Sequence, residues 1–316
     1  MQNFKLNNKL FIKQEKKDLG IEIKDKEQVK SSQAETEIDE LNLNLDEVIV
    51  KEENGIRYLQ FKKLLEYKNL VHAYPLGLDL NFRTGKISEN LQKKDYDKAI
   101  DSYKKICKPL NCNYINIVKP VQRHTNNVKI VENKILTSEP DINLKEYDQT
   151  DGLITNKKDL ILSTTNADCI LMLFYDFEKN VIANIHSGWK GTLKKISEVT
   201  VKKMINVFNC NPENIICAIC PSIRKCHFEV REDVKNSFID EFKGEEFKDC
   251  FEEKEKNVKW NIDTVLINKI LLKKLGLKEE NILDSRICSM CNSHLVHSYR
   301  AEKEGYGLGT ALVGLV

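Results

Sequence analysis

Residues 160–208, LILSTTNADCILMLFYDFEKNVIANIHSGWKGTLKKISEVTVKKMINVF, decide the fold class. Three apolar runs, Leu160–Ser163, Ile170–Tyr175 and Val181–Ile185, are strand-sized and separated by polar turns. From Thr192 to Phe208 the period changes. Leu193, Ile196, Thr200, Met204 and Val207 recur at three- and four-residue steps with lysines on the other face, which predicts an amphipathic helix. Strands that lead into a helix argue for an alpha-beta class over an all-helical or all-beta one.

Outward from this stretch, Tyr114–Val118 and Ile215–Ile219 read as further strands and Asp233–Phe242 as a second helix. A third helix starts at Asp263, an N-cap, carries Val265, Ile267, Ile270, Leu271 and Leu275, and stops at Gly276. Upstream, Ile56–Phe61 alternates with period two and opens the folded part, so that 55–316 reads as one domain. Residues 1–50 are rich in Lys, Glu, Asp, Asn and Gln, have no aromatic residue after Phe11, and read as a mobile extension. Within them LNLNLDEVIV, residues 41–50, admits a short strand or helix.

The composition narrows the function. The 316 residues carry 50 Lys and Arg against 48 Asp and Glu, a net charge of +2, without the basic excess expected of a nucleic-acid binder. The longest apolar run, Ile170–Tyr175, is far below the roughly 20 residues that cross a bilayer. The N-terminus, MQNFKLNNKLFIKQEKK, lacks the apolar core of about 7 to 15 residues that a secretory signal needs, so a cytoplasmic location is expected. In a reducing compartment the ten cysteines read as thiols, metal ligands or a nucleophile rather than as disulfides.

Reactive side chains gather where strands end: Gln122-Arg123-His124, Ala167-Asp168-Cys169, and His186-Ser187-Gly188-Trp189-Lys190-Gly191. Each has an ordinary explanation alone, Cys169 as a small buried hydrophobe and either histidine as a loop hydrogen-bonder. Together one thiolate and two imidazoles form a three-ligand set suited to zinc that leaves a fourth position open. The spacings of 45 and 17 residues between the three contain no local ligand pair.

These segments resemble a known family, the bacterial laccase-domain proteins once labelled multicopper polyphenol oxidases and later described as zinc-dependent purine nucleoside phosphorylases with adenosine deaminase activity. The family's Q-V-H is similar to Gln122-Arg123-His124, its D-G-L-V-T to Asp151-Gly152-Leu153-Ile154-Thr155, its A-D-C to Ala167-Asp168-Cys169, and its H-A-G-W-R-G to residues 186–191. Pro221-Ser222-Ile223 with Phe228-Glu229-Val230, and Ser298-Tyr299-Arg300, resemble two later motifs. The resemblance implies a layered α-β-β-α sandwich with mixed sheets in a single α+β catalytic domain, and zinc ligands His124, Cys169 and His186. It implies a nucleoside (adenosine, inosine, guanosine or methylthioadenosine) and phosphate as partners. The sequence departs from the family at Arg123 for Val, Leu171 for Pro, Lys190 for Arg, Cys220 and Arg224 for two glycines, Ala301 for Arg, and Leu308 for Arg. None of these removes a metal ligand, but several touch basic residues that would hold phosphate.

For the phosphate, the start of the Thr192 helix offers backbone N–H groups of Gly188 to Thr192 and Lys190, aided by Arg300; simple chain reversal by Gly188 and Gly191 is the alternative. Asp168 is the candidate for proton transfer or for orienting a ligand. Cys217-x-x-Cys220 and Cys288-x-x-Cys291 suggest a second site of four thiolates, but strand alternation turns Cys217 and Cys220 to opposite sides. Cys226-His227 resembles a Cys-Cys pair of the family and is a candidate for pocket lining. His72 reads as pocket wall or as support just behind it, one of His294 and His297 as a pocket contact with the other facing solvent, and Tyr74, Phe82 and Tyr299 as surfaces for a purine or as ordinary core aromatics. Two other functions use the same residues: a copper phenol oxidase, for whose multicopper cluster six histidines are few, and a metal-free Cys169/His186 thiol hydrolase acting on cell-wall precursors.

Overall fold

The computed structural model describes residues 46–84, 93–132, 145–256 and 258–316. Residues 1–45, most of the expected extension, lie outside the described residues. In chain order the strands and helices are β1 (Val48–Glu53), β2 (Ile56–Phe61), β3 (Leu70–Leu76), α1 (Lys93–Cys107), β4 (Ile117–Val118), β5 (Val128–Ile130), β6 (Gly152–Thr155), β7 (Ile161–Asn166), β8 (Ile170–Asp176), β9 (Val181–Ser187), α2 (Trp189–Leu193) and α3 (Ile196–Phe208). They continue with β10 (Ile215–Ile219), β11 (Glu229–Val230), α4 (Glu232–Glu241), β12 (Phe251–Glu255), β13 (Lys259–Ile262), α5 (Thr264–Lys274), β14 (Ile282–Asp284), α6 (Tyr299–Glu302) and β15 (Gly309–Leu315).

Two six-stranded sheets carry the fold, in the orders β1-β2-β3-β15-β7-β4 and β14-β10-β8-β9-β6-β5, with a three-stranded sheet β11-β13-β12 beside them. Both large sheets are mixed: β4–β7, β5–β6 and β10–β14 pair parallel and their other pairs are antiparallel. Every residue of β8 and β9 is buried, which is why both read as continuous apolar runs rather than as a half-exposed alternation.

Alternation then assigns faces. Val181, Ala183 and Ile185 pack with Ile196, Val201 and Met204 of α3 and with Val265 and Leu272 of α5. Between them Asn184 turns the other way and donates from Nδ2 to the carbonyls of Leu162 and Ala311 in the first sheet, at 2.9 and 2.8 Å. On that sheet's outer face Tyr103 and Ile106 of α1 pack against Tyr58, Ala73, Ile161 and Leu312. The result is the expected layered α-β-β-α sandwich, with the third sheet and α4 forming their own apolar cluster around Phe238, Trp260 and Ile262.

Three details differ from the sequence reading. The first sheet begins upstream of Gly55: β1 pairs with β2 from Val48↔Phe61 to Glu53↔Ile56, joined by Asn54-Gly55 at φ +55° and +73°, a two-residue turn of the type that Asn-Gly favours. Tyr114–Asn116 is a 3-10 turn, and only Ile117–Val118 is strand. The helix expected from Thr192 to Phe208 is two helices, α2 and α3, broken where Lys195 takes φ +55°. The third helix is as expected: Asp263 Oδ1 accepts Leu266 N–H at 2.8 Å, and Gly276 follows the helix at φ +93°.

Candidate active site

The loops that leave the two large sheets bring His124, Cys169 and His186 together, with their ligand atoms all within 4.8 Å of one another. His186 is near the end of β9, Cys169 occupies the tight turn between β7 and β8, and His124 lies in the loop before β5. Cys169 Sγ is 3.9 Å from His124 Nε2, and the two imidazole rings meet edge to face at 4.9 Å between centroids.

Asp151, fully buried just before β6, organises this group, a role the sequence reading did not assign. Its Oδ1 accepts the Nδ1–H of His186 at 2.9 Å, which leaves the Nε2 lone pair of His186 for a ligand bond. The same carboxylate accepts the backbone N–H groups of Arg123, His124 and Thr125 and the Thr125 hydroxyl. Three successive N–H donors on one carboxylate bend the loop and offset the cost of holding His124 at φ +59°. Burial opposes the charge on Asp151, yet the His186 and Thr125 donors hold its carboxyl down to about 2. Burial likewise would raise the Cys169 thiol, but His186 and His124 outweigh it and bring it to about 6. The sulfur is thereby favoured as thiolate at neutral pH, the form that binds metal.

The surroundings fix the remaining geometry. Asn166 Nδ2 donates to the carbonyls of Cys169 and Pro221 while its Oδ1 accepts the Tyr74 hydroxyl, and Gln122 clamps the His124 loop to the Thr165 backbone. Gly188 is required by space. A Cβ there would lie 2.6 Å from His124 Cδ2 and 3.1 Å from Cys169 Sγ. Gly188→Ala should therefore lower the melting temperature, consistent with overpacking costs of about 1–3 kcal/mol, and weaken metal retention; thermal denaturation with and without a chelator checks both. The donor set and this close glycine fit a transition-metal ion of three-ligand coordination with an open fourth position.

The three residues open into a cavity of about 960 Å³ whose wall includes Trp189, Phe228, Tyr299 and Tyr306. Arg83, Thr84 and Lys119 line the same cavity. Lys119 is buried, donates to Thr84 Oγ1 at 2.6 Å, and among the described residues pairs with no carboxylate. Burial, with Arg83 close by, pushes its ammonium down to about 7. The Arg83 guanidinium donates to the Tyr306 carbonyl at 2.6 Å and lies over the Tyr306 ring. The sequence reading singles out neither cation, because Arg83 and Lys119 lie outside the motifs that resemble the family.

Other expected residues take different places. Lys190 is exposed over the Trp189 ring, 5.3 Å from its centroid, and is not among the cavity-lining residues. The helix start proposed for phosphate is only the five-residue α2, and its Thr192 N–H is already donated to the Gly188 carbonyl. Arg300 lines the cavity, with its backbone N–H on Asp168 Oδ2 at 2.7 Å. Asp168 Oδ1 accepts Ser289 and Ser298 hydroxyls at 2.6 and 2.7 Å, so its carboxylate ties three loops together. His72 is buried in the first sheet, where its Nε2 accepts Phe61 N–H at 2.8 Å and burial pushes it down to about 3; it is core, not pocket wall. His297 is buried between Glu302 and the Leu80 carbonyl, and His294 is exposed. Tyr74 and Phe82 are core, leaving Tyr299 as the one of the three aromatics that faces the cavity.

The chain is similar to several known proteins. A purine nucleoside phosphorylase of Bacteroides thetaiotaomicron is 29% identical over 200 residues, 63% of this chain and 73% of that protein. Adenosine deaminase RL5, from an unknown prokaryotic organism, is 24% identical over 220 residues, 69% of this chain and 81% of that protein. The crystal structure of hypothetical protein YfiH from Bacillus licheniformis superposes with a TM-score of 0.72 at 23% identity, over 84% of this chain and 100% of the other, and shares the fold. The sequence profile of the family described as multi-copper polyphenol oxidoreductase laccase matches residues 86–316, the span that supplies His124, Cys169 and His186, and the chain belongs to that family.

Proposed function

We propose that this protein is a zinc-dependent purine nucleoside phosphorylase that also deaminates adenosine, with zinc held by His124, Cys169 and His186. One observation carries the reading: a single cavity joins this His-Cys-His group to aromatic walls and to two cations, Arg83 and Lys119. A flat base, a sugar and a phosphate call for that combination. The names of the relatives, purine nucleoside phosphorylase and adenosine deaminase, support it.

When bound, zinc would polarise an oxygen or nitrogen it contacts and acidify water. The chain's own residues do the rest. Asp151 fixes the His186 tautomer, and Asp168, through Ser289, Ser298 and the Arg300 N–H, holds the turn that presents Cys169. Tyr299, Tyr306 and Phe228 would receive the purine, and Arg83 and Lys119 the phosphate. Leu308, where the family resemblance gives arginine, lines the cavity, and its carbonyl accepts the N–H of Phe82, so Arg83 would replace the missing cation from the connection that follows β3. Copper oxidation is less well supported: His72 and His297 are engaged in their own buried hydrogen bonds, which leaves two imidazoles at the cavity. A cytoplasmic location goes with this reading, since it keeps the ligating thiolates reduced.

The test is a screen of adenosine, inosine, guanosine and methylthioadenosine with and without phosphate. Release of free base should need phosphate, and conversion of adenosine to inosine should not. Turnover that survives complete metal removal would instead point to Cys169 as a nucleophile, and phenol oxidation on adding copper would favour the oxidase.

A further inference from the structure

A second group of side chains converges outside the cavity. Cys226 and His227 come from the turn before β11, Cys288 and Cys291 from the turn after β14, and their four ligand atoms all lie within 4.8 Å of one another. Cys226 Sγ is 3.5 Å from Cys288 Sγ and 3.9 Å from Cys291 Sγ. His227 Nδ1 is 3.3, 3.7 and 3.4 Å from the sulfurs of Cys226, Cys288 and Cys291.

These are five of the six edges of a tetrahedron, and the sixth, between Cys288 and Cys291, is within 4.8 Å. With metal–sulfur bonds of about 2.3 Å and a metal–nitrogen bond of about 2.0 Å, tetrahedral zinc has S···S edges of about 3.8 Å and S···N edges of about 3.5 Å. Each measured edge lies within about 0.3 Å of those values. A disulfide, by contrast, needs its sulfurs about 2.05 Å apart, so two of them would have to move by more than an ångström and abandon the other two ligands. Hydrophobic packing does not account for the group either, because Cys226 and Cys291 are exposed.

We propose that Cys226, His227, Cys288 and Cys291 form a second zinc site, separate from the one in the cavity. All four positions come from the protein, so the site is closed and structural rather than catalytic. Three thiolates, a neutral imidazole and a divalent ion leave one net negative charge, and the hollow beside it is lined by two cations, Lys254 and Arg300, and one carboxylate, Glu229. The ion would clamp the 221–228 turn to the 285–298 segment. Those segments reach the cavity turn directly, since Ile223 N–H donates to the Asp168 carbonyl and the Ser289 and Ser298 hydroxyls to its carboxylate.

The inference does not rest on the nucleoside reading, and metal counting separates the two. Full-length protein produced with zinc and freed of loosely held metal should contain about two zinc ions per chain. His186→Ala should keep about one, and its cobalt-substituted form should show the intense sulfur-to-cobalt charge transfer of a three-thiolate site. The double variant Cys226→Ser/Cys291→Ser, which alters only exposed side chains, should also keep about one, now in the cavity. The proposal is overturned if His186→Ala retains no zinc, if the double variant retains both ions, or if alkylation and intact mass reveal a Cys226–Cys288 disulfide. Should the double variant fail to fold, the His186→Ala count and its cobalt spectrum decide alone.

Discussion

His186→Ala should empty the cavity site of metal and abolish nucleoside turnover together. The residue is 3% exposed, its Nδ1–H is committed to Asp151 at 2.9 Å, and its ring faces Cys169 and His124. Alanine removes one of three ligands and leaves a buried carboxylate without its principal side-chain donor. Two protein ligands hold zinc poorly, so loss of metal and of at least about a hundredfold in rate is expected. Asp151→Asn is the graded companion. The amide keeps the volume but has one acceptor oxygen in place of two, cannot serve all the donors that converge there, and should cost about 10- to 100-fold in metal affinity. Elemental analysis and turnover on the same samples check both variants. Stoichiometric cavity zinc in a protein lacking His124, Cys169 and His186 would put the site elsewhere.

The parts of this architecture that were legible are those whose signal is local. The runs Ile170–Tyr175 and Val181–Ile185 are strands because both faces are covered, and Asp263 and Gly276 bracket a helix because capping is a matter of neighbours in sequence. The break between α2 and α3 was not legible. Leu193, Ile196 and Thr200 keep helical spacing across it, and the residue that turns the chain is Lys195 rather than a glycine. The ligands His124, Cys169 and His186 were read from residue type and family resemblance, but the groups that make them a site were not. Asp151 enters the sequence reading only as the first residue of a family-like motif, with no role attached, and its donors lie 26 to 35 positions away. Cys226-His227 and Cys288-x-x-Cys291 are about sixty residues apart, and the tempting partner motif, Cys217-x-x-Cys220, sends Cys217 into the core under α3 and α5.

The phosphate side of the proposed function yields the second large effect, because the cavity offers Arg83 and Lys119 beside the expected Arg300. Lys119→Met and Arg83→Ala should each raise the phosphate KM of phosphorolysis about 10- to 100-fold, the worth of one charge-assisted hydrogen bond of about 1.5–3 kcal/mol, while leaving phosphate-free deamination nearly unchanged. Lys190→Ala should change neither, because Lys190 is exposed on the Trp189 ring outside the cavity lining. The pH dependence follows from burial. With the ammonium of Lys119 pushed down to about 7, the unliganded protein loses that charge as pH rises through neutrality, so the phosphate KM should climb above that point. A bound dianion would pull the proton back, which means that phosphate and proton bind cooperatively there. In Lys119→Met the KM starts high and this component of its climb should vanish, whereas Arg83→Ala should keep a pH-dependent climb, since Lys119 still titrates. Steady-state kinetics across pH 6 to 9 with wild type and the three variants separates the outcomes. Equal loss of both activities in Lys119→Met and Arg83→Ala would mean that these cations hold the cavity together rather than the phosphate.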